Sequence, residues 1–341
     1  MEIETIPLAV IGAGPCGLAV GAAAREAGVE AVLLDRGPVC ASLLHYPPYM
    51  TFFSTSEKLE VGGVPFSTPA PNPSRREALA YYRGVARHHR LDIRQYHAVE
   101  RVRRAPEGGF ALTLRSAEGE REVRAEALVV ATGGFHGPNL LGIPGEELPK
   151  LSHSYSEAHP YWGQEVLIVG GRNSAVEAAL ELYRTGARVT LVHFEADLDS
   201  GVKPWLLPDI RNRIANGEIA VYWRHRLVEV RPTEVVLAAE EDGRLRTLKN
   251  DFVLALTGWR PDHSLLTSLG VSIDPVTGVP EHDPTTMETP IPGLFLAGVL
   301  AAGYDANRIF IENGREHGAL ILARLLQEGR IGSSTQSTTW K

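Results

Sequence analysis

Leu8-Ala9-Val10-Ile11-Gly12-Ala13-Gly14-Pro15-Cys16-Gly17 decides the fold. The unbroken apolar run at 8–11 is the pattern of a parallel strand covered on both faces. Gly12, Gly14 and Gly17 then open an alanine-rich helix that runs to Gly28. Ala31-Val32-Leu33-Leu34 is a second strand ending at Asp35, 23 residues after Gly12. A glycine triplet alone is a weak signal, but between strand and helix, with an acid ending the next strand, it marks a dinucleotide-binding βαβ unit. Gly12 makes the tight turn, Gly14 lets backbone approach a pyrophosphate, and Gly17 lets the helix pack on the strand. Ala13 and Pro15 complete the loop, and the helix N-terminus stabilises phosphate. Asp35, followed by Arg36, is the acceptor for the adenosine ribose.

The pattern restarts 158 residues later. Val166-Leu167-Ile168-Val169 leads into Gly170-Gly171-Arg172-Asn173-Ser174-Ala175, a helix over about 174–185 ended by Gly186, and a strand over 188–192. Arg172 stands where the second motif glycine would be, either to pair with a phosphate oxygen or to lie over the mouth of the site. The position matching Asp35 is His193. Without an acid there, the ribose 2′-hydroxyl loses its acceptor and a 2′-phosphate loses its repulsion, which favours NADPH over NADH. Glu195 and Asp197 follow closely enough to substitute for the acid. Lys203 is a further phosphate partner or a solvated lysine.

Each glycine loop is followed by an apolar strand ending in Thr-Gly: Ala127 to Ala131 before Thr132-Gly133, and Phe252 to Leu256 before Thr257-Gly258. A closing strand, Gly293 to Ala297, ends at Gly298, and a final helix is expected over about 312–328, burying Ala319, Leu320, Leu322, Ala323, Leu325 and Leu326. This nesting predicts an α/β protein with two Rossmann-like, three-layer β/β/α domains, the second inserted in the first. The expected boundaries are 1–160 and 287–330 for the outer domain, 161–286 for the inserted one, and 331–341 for a flexible tail.

Between the elements, Ser74 with Glu77 three residues on predicts a capped helix over 74–90. Strands are expected over 92–101, 110–115 and 121–125, with turns at Gly108-Gly109 and Glu118-Gly119. Residues 37–73 are rich in Pro, Gly, Ser and aromatics, either a segment wrapping something flat or a packed surface loop. Tyr46, Thr51 and Phe52 lie in it.

Composition narrows the function classes. Hydrophobic residues make up 44% and net charge is −7, which offers no electrostatic case for a nucleic-acid partner or an anionic membrane surface. Two glutamates near the N-terminus take the place of a basic signal-peptide region, and no apolar run approaches a membrane span, so a cytoplasmic protein is expected. The two cysteines, Cys16 and Cys40, form no CxxC pair and no metal-binding cluster.

The chain resembles the bacillithiol-disulfide reductase family, within the thioredoxin-reductase-like flavoprotein reductases. The resemblance is carried by Gly14-Pro15-Cys16-Gly17, Met50-Thr51-Phe52-Phe53-Ser54-Thr55-Ser56-Glu57-Lys58-Leu59-Glu60, Gly170 to Ala175, Lys203-Pro204-Trp205, Leu256-Thr257-Gly258 and Ile309-Phe310-Ile311-Glu312-Asn313-Gly314-Arg315. It covers nearly the whole chain except the tail. It implies FAD in the first domain, NADPH in the second, a low-molecular-weight disulfide as substrate, Cys16 as the redox residue, and a homo-oligomer, dimer or tetramer. Thioredoxin reductases carry a CxxC in the inserted domain, and this chain has no cysteine beyond residue 40, which argues against thioredoxin as substrate. Val299 stands where the wider family has an acid, and Asp305, a few residues on, is a candidate to replace it.

On this scaffold Tyr46 to Ser56 is the expected wall of the flavin, and the amides from Glu312 to Gly314 face its reduced N1 side. Cys16 is either a thiolate nucleophile, favoured by the helix N-terminus and opposed by pyrophosphate charge, or a small side chain filling a gap. Cys40 reads as a buried hydrophobe. Two other functions remain open: a different flavin reaction, such as electron delivery to a small protein or hydroxylation, and a flavin-bound redox sensor. No metal site is expected.

Overall fold

The computed structural model describes residues 3–331. Of the expected tail at 331–341, residues 332–341 lie outside the described residues, and Ile331 is buried in a hydrophobic core instead. The chain divides into two compact units, 1–137 with 259–341, and 138–258.

In the first unit, β1 (Glu4–Ile11), α1 (Pro15–Glu26) and β2 (Ala31–Asp35) form the βαβ unit read from sequence. Then come α2 (Arg75–His88), β3 (Asp92–Gln95), β4 (Ala98–Arg104), β5 (Phe110–Ser116) and β6 (Gly119–Val130). Ser74 caps α2 through a reciprocal capping box with Glu77. The strand expected over 92–101 is two strands, because Tyr96 turns the chain with a positive φ of 59°. The two strands expected at 121–125 and 127–131 are one. β6 lies at the centre of one seven-stranded sheet: residues 119–125 pair antiparallel with β5 and residues 123–130 parallel with β1.

The second unit holds β7 (Leu151–Ser152), β8 (Glu165–Val169), α3 (Asn173–Thr185), β9 (Arg188–His193), α4 (Leu207–Ala215) and β10 (Ala220–Trp223). An antiparallel meander of β11 (His225–Val230), β12 (Glu234–Ala239) and β13 (Leu245–Lys249) leads to β14 (Phe252–Ala255). The parallel sheet runs β10-β9-β8-β14-β7. Strand alternation explains its three layers: Val166 and Ile168 join a core with α3 residues Val176, Ala179 and Leu182, while Leu167 between them joins Leu227, Val235 and Leu237 of the meander. With both faces covered, the strand is apolar throughout.

The inserted unit begins and ends earlier than 161–286. Leu141, Ile143, Leu148 and Leu151 pack on the meander core, drawing 138–160 into the second unit. Leu266 and Val271 are buried in the outer core, so residues 259–286 belong to the first.

The chain closes with β15 (Leu294–Leu296), parallel to β6, and α5 (His317–Gln327). The final helix is in two pieces, since a single turn at Ile311–Gly314 precedes α5. Its buried face is Gly318, Ile321, Leu322 and Leu325, narrower than expected. Of the six positions read from sequence, only Leu322 and Leu325 are buried, while Ala319, Leu320, Ala323 and Leu326 face outward. Gly318 lets α5 cross α1 closely: a Cβ there would lie 2.7 Å from the Ala19 carbonyl oxygen.

Candidate active site

The first glycine loop has the sterics of a phosphate cradle. A Cβ on Gly17 would sit 2.0 Å from the Gly12 carbonyl oxygen, and one on Gly12 would sit 2.4 Å from that of Ala131. Gly14 faces open space, with nothing within 4 Å of a Cβ. Two glycines are therefore required by packing, and the third leaves room at the start of α1. Pro15 occupies the first turn of that helix, where its missing N–H costs nothing.

Asp35 latches this loop. Its Oδ2 accepts from the Ala13 amide at 2.7 Å and its Oδ1 from the Gly37 amide at 2.8 Å. Burial raises the carboxyl above its usual range, and the two amide donors oppose that. Each oxygen keeps a second lone pair for a ribose hydroxyl. Arg36 points instead to His136, 3.3 Å from its Nδ1, and His136 stands 3.6 Å from Asp262.

The segment expected to wall a flavin is anchored from several sides. Phe52 donates its amide to the Pro73 carbonyl, and Thr51 forms a bridge with Ser74. The Tyr46 ring lies edge-on to Phe52 at 6.4 Å and to Phe135 at 5.8 Å, and Phe135 lies 6.1 Å from Trp259. Burial pushes the Tyr46 hydroxyl up to about 12, so it stays protonated. Phe135 and Trp259 are absent from the sequence reading. Each directly follows one of the two Thr-Gly strand ends, Thr132-Gly133-Gly134 and Thr257-Gly258, a signal the repeat itself contains.

The two long resemblance blocks meet. Ser54 donates to Glu312, Lys58 Nζ lies 3.7 Å from the same carboxylate, and Arg315 Nη1 donates to the carbonyls of Glu57 and Glu60 at 2.8 and 2.9 Å. Glu312 thus acts here through its side chain as a tie. The helix at 311–314 is only one turn long, so its dipole is weaker than that of the long helix expected from sequence.

Cys16 is wedged beside this tie. A Cβ on either Gly298 or Gly314 would lie 2.9 Å from its sulfur. Gly298 has a φ of 74° and donates its amide to His317 Nδ1 at 3.1 Å. Burial pushes the Cys16 thiol up to about 12, and no cation opposes it, so the expected help from the helix N-terminus is outweighed by desolvation. Solvent still reaches part of the residue, whereas Cys40 is fully buried, as expected. Both thiols are free. Thr132 is exposed just after β6, and Gly133 has a φ of 77°.

The second loop keeps the steric logic with different chemistry. Gly170 has a φ of 143°, and a Cβ on it would lie 2.7 Å from the Leu256 carbonyl oxygen. Arg172 is held by Asp199 at 2.9 Å. Asn173 donates to the Gly201 carbonyl and accepts from the Lys203 amide, fixing the loop that carries Lys203 to the start of α3. Ser174 is exposed in the first turn of α3. Gly258, with a φ of 93°, pairs through its carbonyl with the Asn139 amide, and Asn139 Nδ2 donates to the Thr257 carbonyl. His193 ends β9 as expected, with its ring against Gly171.

Among the described residues no helix is long and apolar enough to cross a membrane, and no group of three or more His, Cys, Asp or Glu residues is arranged to hold a metal.

Comparison with known proteins agrees with the two cradles. The family model for pyridine nucleotide-disulphide oxidoreductases matches residues 9–298. The chain is 41% identical over 316 residues to the bacilliredoxin reductase Bdr of Bacillus subtilis (strain 168), covering 93% of this chain and 96% of the relative. The solved bacillithiol disulfide reductase Bdr of Bacillus cereus has a TM-score of 0.92 at 40% identity, covering 95% of this chain and 100% of that one. That of Staphylococcus aureus has a TM-score of 0.90 at 35% identity, covering 96% and 99%. The sterics of both glycine loops suit the phosphate groups of dinucleotide cofactors, which for this chain are FAD and NADPH. The chain belongs to the pyridine nucleotide-disulphide oxidoreductase family and, within it, to the Bdr reductases, as an FAD- and NADPH-dependent oxidoreductase.

Proposed function

We propose that this enzyme passes hydride from NADPH through FAD to a low-molecular-weight disulfide, with bacillithiol disulfide as the first candidate and Cys16 as the reacting thiol. The observation that carries the substrate class is two dinucleotide cradles in a chain with no cysteine after residue 40, and so without a CxxC in the inserted unit. The reaction balances as NADPH, a proton and one disulfide giving NADP+ and two thiols. FAD, when bound, supplies the two-electron chemistry between hydride donor and disulfide. Gly12, Gly14, Gly17 and Asp35 bind and orient it, and the Tyr46, Phe52, Phe135 and Trp259 rings form an apolar wall that keeps water away.

Cys16 is the one cysteine that solvent reaches, and it opens a helix of 12 residues. Its raised pKa means that attack on a disulfide requires loss of the thiol proton during turnover. Anaerobic reduction with NADPH, followed by mixing with bacillithiol disulfide, tests the role. In Cys16→Ala the flavin is reduced at the wild-type rate, and its reoxidation by disulfide slows by about a hundredfold or more. A variant that reoxidises normally makes Cys16 a packing residue.

A second acceptor is favoured by the Bacillus subtilis relative, a bacilliredoxin reductase: a small disulfide protein of that kind. Mixing the reduced enzyme with oxidised bacilliredoxin in place of the small disulfide separates the two. We further propose a cytoplasmic homo-oligomer. Two unpaired thiols suit a reducing compartment, and outward-facing Leu320 and Leu326 on α5 are apolar surface available for association. Light scattering at working concentration checks the assembly.

A further inference from the structure

The strand ends of the two units correspond residue for residue. Ile11 pairs with Leu34, so Gly12 and Asp35 are the next residues on β1 and β2. Val169 pairs with Val192, so Gly170 and His193 are the next on β8 and β9. Asp35 meets its loop through hydrogen bonds. His193 meets its loop by contact alone: a Cβ on Gly171 would lie 2.6–2.7 Å from three atoms of the imidazole.

His193 is 6% exposed, and among the described residues it is the one histidine with both ring nitrogens buried and without a hydrogen bond. A buried imidazole normally finds partners, as His89 does with the Gly62 carbonyl at 2.8 Å. The neighbouring cations are already engaged. Arg172 is paired with Asp199, and Arg226 with Glu240, its guanidinium carbon 4.8 Å above the Phe194 ring. The charged groups facing His193 are Glu195 and Asp199 from the segment after β9 and Arg172 from the glycine loop. Its aromatic neighbours, Phe194 and Trp223 of β10, carry no charge.

We propose that His193 reads the 2′-phosphate of NADPH by taking up a proton as the phosphate binds, so that the preference for NADPH over NADH depends on pH. The proposal rests on the second loop holding NADPH. Neutral imidazole has one N–H, whereas imidazolium has two. One would donate to the phosphate and the other to Glu195, whose Oε2 already stands 3.8 Å from Nε2. Glu195 is more than half exposed, so it can shift to let the phosphate approach. Burial lowers the imidazole below its ordinary pKa, and Glu195 and Asp199 pull the other way, leaving it neutral but ready to charge beside a second anion.

The bound state then holds one proton more than the free state. Affinity for a 2′-phosphorylated ligand falls as pH rises, by up to about tenfold per pH unit, while a ligand without that phosphate shows no such slope. Calorimetry on the FAD-loaded protein, with 2′,5′-ADP and 5′-AMP as probes in buffers of different ionisation enthalpy, measures the proton directly. From about pH 6.5 to about pH 8.5, 2′,5′-ADP binding is expected to take up close to one proton and to weaken about tenfold or more. 5′-AMP is expected to take up none.

His193→Asn keeps a polar side chain that cannot charge, and the uptake disappears. The phosphate's own titration near pH 6 is common to both proteins and cancels in the difference. Unchanged flavin content confirms that the variant folds. Equal proton uptake in wild type and His193→Asn overturns the proposal. Tighter binding of 2′,5′-ADP without proton uptake overturns the role of His193 and leaves the NADPH assignment standing. A failure of 2′,5′-ADP to outbind 5′-AMP at any pH overturns both.

Discussion

In the first unit the glycine loop is closed by a carboxylate with both oxygens engaged, Asp35 on the Ala13 and Gly37 amides. In the second, the equivalent His193 touches its loop without a single hydrogen bond, and the loop is held from elsewhere, by Asn173 to the Gly201–Lys203 turn and by Arg172 to Asp199. The backbone turn is the same, yet the first loop is latched from within and the second is braced at its rim. A latched loop loses little conformational entropy on binding, which suits a cofactor that stays. A rim-braced loop leaves its ribose-side group unsatisfied until ligand arrives, which suits a cofactor that exchanges at every turnover.

The sharpest way to break this comparison is to add one methyl group to each loop. In Gly17→Ala the new Cβ meets backbone, so the loop or α1 must shift. We expect a loss of about 4 kcal/mol or more in a denaturant titration, together with loss of bound flavin. In Gly171→Ala the Cβ meets the His193 side chain, which can rotate. Flavin content stays normal, and NADPH binding weakens about tenfold. Equal damage from the two substitutions would mean that the loops are built alike.

Removing the strand-end residues tests the latch itself. Asp35→Ala strands two amides and is expected to cost about 3 kcal/mol in thermal or denaturant unfolding. His193→Ala breaks no hydrogen bond, and its cost is about 1 kcal/mol, the value of lost packing. If the order reverses, His193 is a structural residue and the comparison fails.

A smaller effect separates the units by pH. His317, which accepts the Gly298 amide in the first unit, has its pKa lowered from 6.5 to about 4 by burial, with the nearby His282 acting in the same direction. Its folded value lies below its unfolded one, so the unfolded chain binds the proton first. The neutral form's advantage is complete above about pH 6.5 and is lost as pH falls towards 4, at most about 2 kcal/mol after allowing for partial exposure. His317→Gln removes most of that acid sensitivity. Melting curves of wild type and variant between about pH 7 and pH 4 measure it, and identical slopes would exclude His317 as its source.

The glycine loops, the acid ending β2 and the missing acid ending β9 were legible because each is a local pattern with a fixed spacing. The strand at 166–169 was legible for the same reason: both its faces are apolar, and a run of that kind has few other uses. What failed was tertiary in origin. The helix at the C-terminus looked broadly apolar, but only Gly318, Ile321, Leu322 and Leu325 are buried, Gly318 directly against α1, and no one-dimensional pattern says which stripe finds a partner. Phe135 and Trp259 join the aromatic wall because distant strand ends bring them to Tyr46 and Phe52.

Sequence by itself determined the two cradles, their nesting and the exchange of Asp35 for His193, since those follow from backbone sterics and residue type at set intervals. Only the tertiary structure decided where the inserted unit begins and ends, through the packing of 138–160 and 259–286 on different cores. It alone decided that the Cys16 thiol is protonated at rest, because desolvation depends on what surrounds a group. The empty hydrogen-bonding capacity of His193 belongs to the same class, for a missing partner is visible only when every neighbour is in place.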